Sequence, residues 1–251
     1  MEIMEELRRR HKIMCDHYGT ERVVATFLYG SQNYKLDTET SDIDSITIII
    51  PSLEDMIIML QPINFYNTLD TGEVMGHKDL RVFISEIRRA SALMMELLYT
   101  DYRVINPTYY VYISELILHR EKIADSNKFQ LLNAWVGQGD SFLDRIPKKD
   151  YRIKDIVNLF RTVEFLQQYI VEGKRYGEAL VPRDYELLRS MKRNCGDPKK
   201  LTGMIEQAKD SLDLIKKTYA KNLENTKSEA GFIQSIGVKI YKKYLERVDL
   251  K

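Results

Sequence analysis

The sequence predicts an α/β (α+β) chain: a mixed sheet with flanking helices in the first half, then a second half made of helices alone. Three observations carry that prediction. Val23–Tyr29 and Ser45–Ile50 are apolar segments rich in β-branched residues, separated by a polar stretch, which is the pattern of buried strands. Residues 2–18 and Ile84–Tyr99 carry apolar residues at helical spacing on either side of them. Beyond Pro107 the helical spacing continues almost unbroken. Two domains are therefore expected, residues 1–106 and residues 107–251.

Residues 2–18 read as an amphipathic helix with Ile3, Leu7, Ile13 and Met14 as apolar positions. The run Arg8-Arg9-Arg10-His11-Lys12 reads as its solvated face, with phosphate binding the sharper alternative. Val23–Tyr29 is the first strand and residues 45–50 the second, which Pro51 stops. Ser52 is an N-cap for a short helix over Leu53–Leu60, with Asp55 in its first turn. A further strand is expected around Asp79, Leu80, Val82 and Phe83. Ile84–Tyr99 follows as one helix, with Ile87, Ala90, Leu93, Met94, Leu97 and Leu98 on its apolar face and Ser85 near its start. Later helices are expected near 109–122, 126–144, 150–172, 182–194, 198–223 and 228–247. Pro147, Gly173, Gly177, Pro182, Gly196 and Pro198 punctuate them.

The 251 residues are 44% hydrophobic and 30% charged, so a packed core is expected rather than disorder. A formal net charge of +1 gives no general attraction to nucleic acid, although a local basic patch is compatible with it. Cys15 and Cys195 are the two cysteines; they fit no metal spacing and no disulfide framework. That usage suits a reducing, cytoplasmic setting. No apolar run approaches the roughly 20 residues a membrane span requires.

The chemistry concentrates between residues 27 and 50. Phe27-Leu28-Tyr29 runs into Gly30-Ser31-Gln32-Asn33-Tyr34, and Ser41-Asp42-Ile43-Asp44 leads into Ile46-Thr47-Ile48-Ile49-Ile50. Side chains at i and i+2 of a strand share a face, so Asp42 and Asp44 are set to grip one hard cation, Mg²⁺ or Mn²⁺. Neighbouring carboxylates repel unless a metal or a proton neutralises them. Gly30-Ser31 offers bare backbone N–H groups and a hydroxyl to a phosphate. A solvated turn also suits Ser-Asp-x-Asp, but two carboxylates heading so apolar a strand are unusual for one. Tyr34, in the loop between the turn and the aspartates, is a candidate stacking surface for a base or sugar.

Gly30-Ser31 followed by Asp42-Ile43-Asp44 resembles the nucleotidyltransferase fold of the DNA polymerase beta superfamily. More narrowly, Gly30-Ser31-Gln32-Asn33-Tyr34 with Ser41-Asp42-Ile43-Asp44 is similar to the RNA-repair-associated nucleotidyltransferases of bacteria and phages. Lys35 stands where that family usually has Gly. The resemblance implies a third carboxylate on a later strand. Asp79 takes that role, with Asp70 and Glu73 as rivals and a surface pair with Lys78 or Arg81 as the plainer reading. Met94-Met95-Glu96-Leu97-Leu98 resembles a family helix with Glu-x-Leu.

Lys154, Asn158 and Arg161 fall at i, i+4 and i+7 of a helix and so share one face. The family carries a similar helix with His where Asn158 stands. Lys154 and Arg161 are thus candidates for the outer phosphates of a nucleotide, Arg as a planar fork and Lys as a point charge; a water-exposed polar face is the alternative. His11, His17, His77 and His119 show no ligand spacing. Trp135 and Tyr109, Tyr110 and Tyr112 read as core.

The resemblance implies an enzyme moving a nucleoside monophosphate from an NTP such as ATP to a hydroxyl. Asp42, Asp44 and Asp79 would hold Mg²⁺ or Mn²⁺, and Gly30, Ser31, Tyr34, Ser41, Lys154 and Arg161 would contact the nucleotide. An RNA end is the acceptor the narrower resemblance implies. A protein or small-molecule acceptor, and a silent nucleotide sensor, are the other expectations.

Overall fold

The computed structural model describes residues 2–68, 74–149, 152–194, 197–223 and 228–248. It is a mixed α/β structure, and its contacts divide the chain into two compact units. The first comprises residues 1–30, 42–123 and 227–251; the second comprises 31–41 and 124–226. The units do not follow the expected split at 106/107, because residues 107–123 and 227–251 group with the sheet.

The first unit holds a five-stranded sheet of β1 (Val23–Tyr29), β2 (Asp44–Ile49), β3 (Asn64–Thr68), β4 (Val74–Asp79) and β5 (Arg103–Ile105), in the order β3-β4-β2-β1-β5. Among the described residues, only the β2–β4 pair is parallel. Six of the seven residues of β1 are buried, as the unbroken apolar run requires of a central strand.

Helix α1 (Ile3–Tyr18) covers one face of this sheet. His11 Nδ1 meets the Thr26 hydroxyl at 3.0 Å, and the Tyr18 hydroxyl meets His77 Nε2 at 3.0 Å. Met14 packs with Val23, Ile49 and Met75. Part of the basic run turns inward: Glu6, 2% exposed, accepts from Arg9 Nε at 2.8 Å and Arg10 Nε at 2.6 Å. On the other face Phe27 stacks with Phe83 at 6.3 Å between centroids.

Several expected boundaries shift. Ser52 caps the short helix α2 (Leu53–Ile57) through a capping box with Asp55. The strand expected through Phe83 ends at Asp79, whose carboxylate caps α3 (Leu80–Arg88) by accepting from the Arg81 N–H at 2.7 Å. The N-cap bond turns the backbone helical, and Leu80, Phe83, Ile84 and Ile87 become one buried face. The expected helix 84–99 is two: the chain breaks at Ala90, with φ of +54°, before α4 (Ala92–Tyr99). Helices α5 (Tyr110–Leu118) and α6 (Arg120–Asp125) replace the single helix expected near 109–122. No helix of the described residues is long and apolar enough to cross a membrane.

The second unit is helical among its described residues: α7 (Lys128–Arg145), α8 (Ile153–Leu166), α9 (Tyr176–Ala179), α10 (Tyr185–Asn194) and α11 (Thr202–Tyr219). Its core is aromatic, with Trp135 stacked on Phe165 at 3.9 Å and Phe165 edge-on to Tyr176 at 5.0 Å between centroids. The last helix, α12 (Ala230–Val248), returns to the first unit. There Gly237 lies so close to Ile84 that an added Cβ would come within 2.9 Å of it.

Candidate functional site

The register of β1 and β2 brings the turn and the second aspartate together. Tyr29 pairs with Asp44, so Gly30 emerges from β1 beside the first residue of β2. Gly30 has φ of +96°, a left-handed value that L side chains resist. A Cβ added there would lie 3.4 Å from Asp44 Oδ2, so the glycine lets backbone approach the carboxylate closely. Asp44 is half-buried and Asp42 exposed.

Two carboxylates two residues apart are an all-oxygen donor set, which suits Mg²⁺ completed by water and a substrate phosphate. The residues therefore fit such an ion. Among the described residues no group of three His, Cys, Asp or Glu side chains is placed to hold one.

Asp79 does not join the pair. In the parallel β2–β4 register it is level with Ile49, five residues beyond Asp44, a separation of about 16 Å along the strands. The odd offset also sets it on the opposite face. Its carboxylate is 3% exposed and serves two structural partners, the α3 N-terminus and the Arg81 guanidinium at 2.6 Å. The plainer reading, a pair with Arg81, is what the structure holds. Asp70 and Glu73 lie outside the described residues. Stepping back two pairs from Ile46–Gly76, the β4 level that matches Asp44 is Val74.

The other expected nucleotide contacts lie in the second unit. Ser31–Tyr34 forms a single 3₁₀ turn. Tyr34 is 4% exposed, and the Arg161 guanidinium sits 3.8 Å from its ring centroid and 5.1 Å from that of Trp135. Tyr34 is thus no open stacking surface: a cation already covers it. Arg161, 4% exposed, is a buried cation on two aromatic faces rather than an exposed phosphate fork. Lys154 is exposed on α8, and Asn158 is half-buried beside it; the shared polar face holds for Lys154 and fails for Arg161.

Ser41 shows a partner the sequence did not suggest. Lys192 on α10 donates to the Ser41 hydroxyl at 3.1 Å and to the Leu36 carbonyl at 3.1 Å. The Ser41 hydroxyl also accepts from the Thr38 N–H at 2.8 Å. Around it, Arg189 pairs with Asp37 at 3.9 Å, Arg193 pairs with Glu39, and the Lys35 ammonium lies 5.2 Å from the Tyr185 ring. One face of α10 therefore grips residues 35–41, the stretch of the loop that leads to the aspartates. Its only sequence signal is the cation spacing at 189, 192 and 193, with aromatic Tyr185 one turn earlier.

No protein-family model matches the chain, and no curated protein matches it either. What the chain does is therefore read from its own residues.

Proposed function

We propose that the chain is a Mg²⁺- or Mn²⁺-dependent nucleotidyltransferase that moves a nucleoside monophosphate from an NTP, ATP among them, to an acceptor hydroxyl, with an RNA end as the preferred acceptor. The observation that carries the proposal is Asp44 at the head of β2 directly beside Gly30, an added Cβ of which would be 3.4 Å from its carboxylate. A phosphate chain held at the Gly30–Ser31 backbone would thus lie next to an oxygen-donor pair. In this reading the sheet unit has a nucleotidyltransferase-type fold, and the helices between residues 124 and 226 form a second, helical domain.

Asp42 and Asp44 would hold the ion, which would supply positive charge against the departing pyrophosphate and the acceptor hydroxyl. The Gly30–Ser31 amides and the Ser31 hydroxyl orient the outer phosphates. Lys192 fixes Ser41, the residue before Asp42.

The test incubates the purified protein with each α-labelled NTP, Mg²⁺, total RNA and a protein mixture, beside an Asp42→Ala/Asp44→Ala control. Label on RNA that the double variant cannot transfer supports the proposal and names the base. Label on protein keeps the chemistry and changes the acceptor. Tight Mg²⁺-NTP binding without transfer makes the chain a sensor, and the absence of both transfer and binding overturns the proposal.

A further inference from the structure

Away from Asp42 and Asp44, the first unit carries a groove of about 480 Å³ between α3 and α12. Leu80, Ile84 and Val238 supply apolar wall, and Gly237 adds none of its own side chain to the space. That volume is within the range of small-molecule sites, which are apolar with a few placed polar groups. The polar groups here have one sign. Arg81, Arg88 and Lys242 line the groove, and no Asp or Glu is among its described lining residues. Asp79 neutralises Arg81, so Arg88 and Lys242, both exposed, supply the net positive charge.

Two further observations point to a ligand. The Tyr241 hydroxyl is shielded from water and makes no hydrogen bond among the described residues, which is costly for a polar atom without a partner. Burial holds that phenol above its ordinary pKa, so it is available as a donor. Met56, also in the wall, begins an exposed apolar run in which Ile57, Ile58, Met59 and Leu60 are 70, 61, 84 and 50% exposed. Contiguous exposed apolar surface of this kind marks a binding face.

We propose that the groove binds an amphipathic monoanion, a carboxylate on a long apolar chain, with the chain against Leu80, Ile84 and Val238 and the carboxylate held by Arg88, Lys242 and the Tyr241 hydroxyl. The inference is independent of nucleotidyl transfer.

Titration calorimetry of the full chain with dodecanoate, kept below its micelle concentration, tests it. The expected result is one saturable site. Arg88→Glu/Lys242→Glu, which reverses two exposed charges, weakens it by about tenfold or more. Val238→Glu, at a side chain 47% exposed, does the same, with circular dichroism confirming that each variant is folded. The folded wild type binds dodecyltrimethylammonium, with the same tail and opposite charge, at least about tenfold more weakly. Absence of saturable dodecanoate binding to the wild type overturns the proposal. So does equal binding of the cationic probe, or an unchanged affinity in both folded variants.

Discussion

Lys35 has φ of +60° and ends the 3₁₀ turn that begins at Ser31. A left-handed L residue costs about 1–2 kcal/mol, and more when β-branched. Lys35 already carries that cost, so Lys35→Ile should lower stability to urea by the further β-branched penalty alone. Lys35→Gly should change it by less than about 1 kcal/mol, because relief of strain offsets added unfolded-state entropy and the lost approach to Tyr185. Asp79 gives the second residue-scale prediction. Asp79→Asn weakens the pair with Arg81, so the melting temperature falls while nucleotidyl transfer survives; loss of transfer in a variant that stays folded would return Asp79 to the metal site. The contrast between these positions explains what the sequence could reveal. Gly30 beside Asp44 was legible because a strand and the turn that ends it are local. The place of Asp79 was not legible, because its level depends on the β2–β4 register and because the strand-like spacing of Leu80 and Val82 hides an N-cap. Tyr34 and Arg161 are far apart in sequence, and only folding shows that each occupies the other.

At the scale of elements, α1 seals the sheet through titratable side chains. Arg9 and Arg10 beside Glu6 hold its carboxyl down to about 2. A depressed carboxylate stabilises the fold above its unfolded pKa, so this contribution is complete above about pH 4.5 and is lost as pH falls toward 2. It amounts to something on the order of 2 kcal/mol, since Arg9 is partly exposed and screened. Glu6→Gln should remove that acid limb from a plot of unfolding free energy against pH. Burial lowers His11 and His77 from 6.5, so both are stable neutral, and their stabilisation is lost as pH falls below about 6.5. His77→Gln should flatten that part of the curve. Helix α10 acts as a charged clamp on residues 35–41. Lys192→Met should expose Lys35 to faster tryptic cleavage. Arg193→Glu should do so as well; equal cleavage of both variants and the wild type would show that the clamp does not hold the loop. Helical spacing made α7, α8 and α11 legible to within several residues. The clamp was not, since three cations on a helix look like any solvated face until the loop is seen against them.

For the whole molecule, the mixed α/β class and the helical character beyond Pro107 followed from periodicity, whereas the grouping of the chain did not. Residues 31–41 belong with 124–226, and α12 belongs with the sheet. Such groupings depend on long-range packing, on Gly237 against Ile84 and Lys239 against Glu115 at 3.3 Å, and carry no local signature. The loop that joins the Gly-Ser turn to the aspartates is thereby gripped by helices more than a hundred residues away. The central claim is that the Gly30-flanked carboxylate pair, and not Asp79, is the working site. The most direct measurement is the rate of transfer from an α-labelled NTP by the wild type, Asp42→Asn, Asp44→Asn and Asp79→Asn, side by side. The account predicts losses of about a thousandfold for the first two variants and less than about tenfold for the third. Undiminished transfer in Asp42→Asn and Asp44→Asn would contradict it.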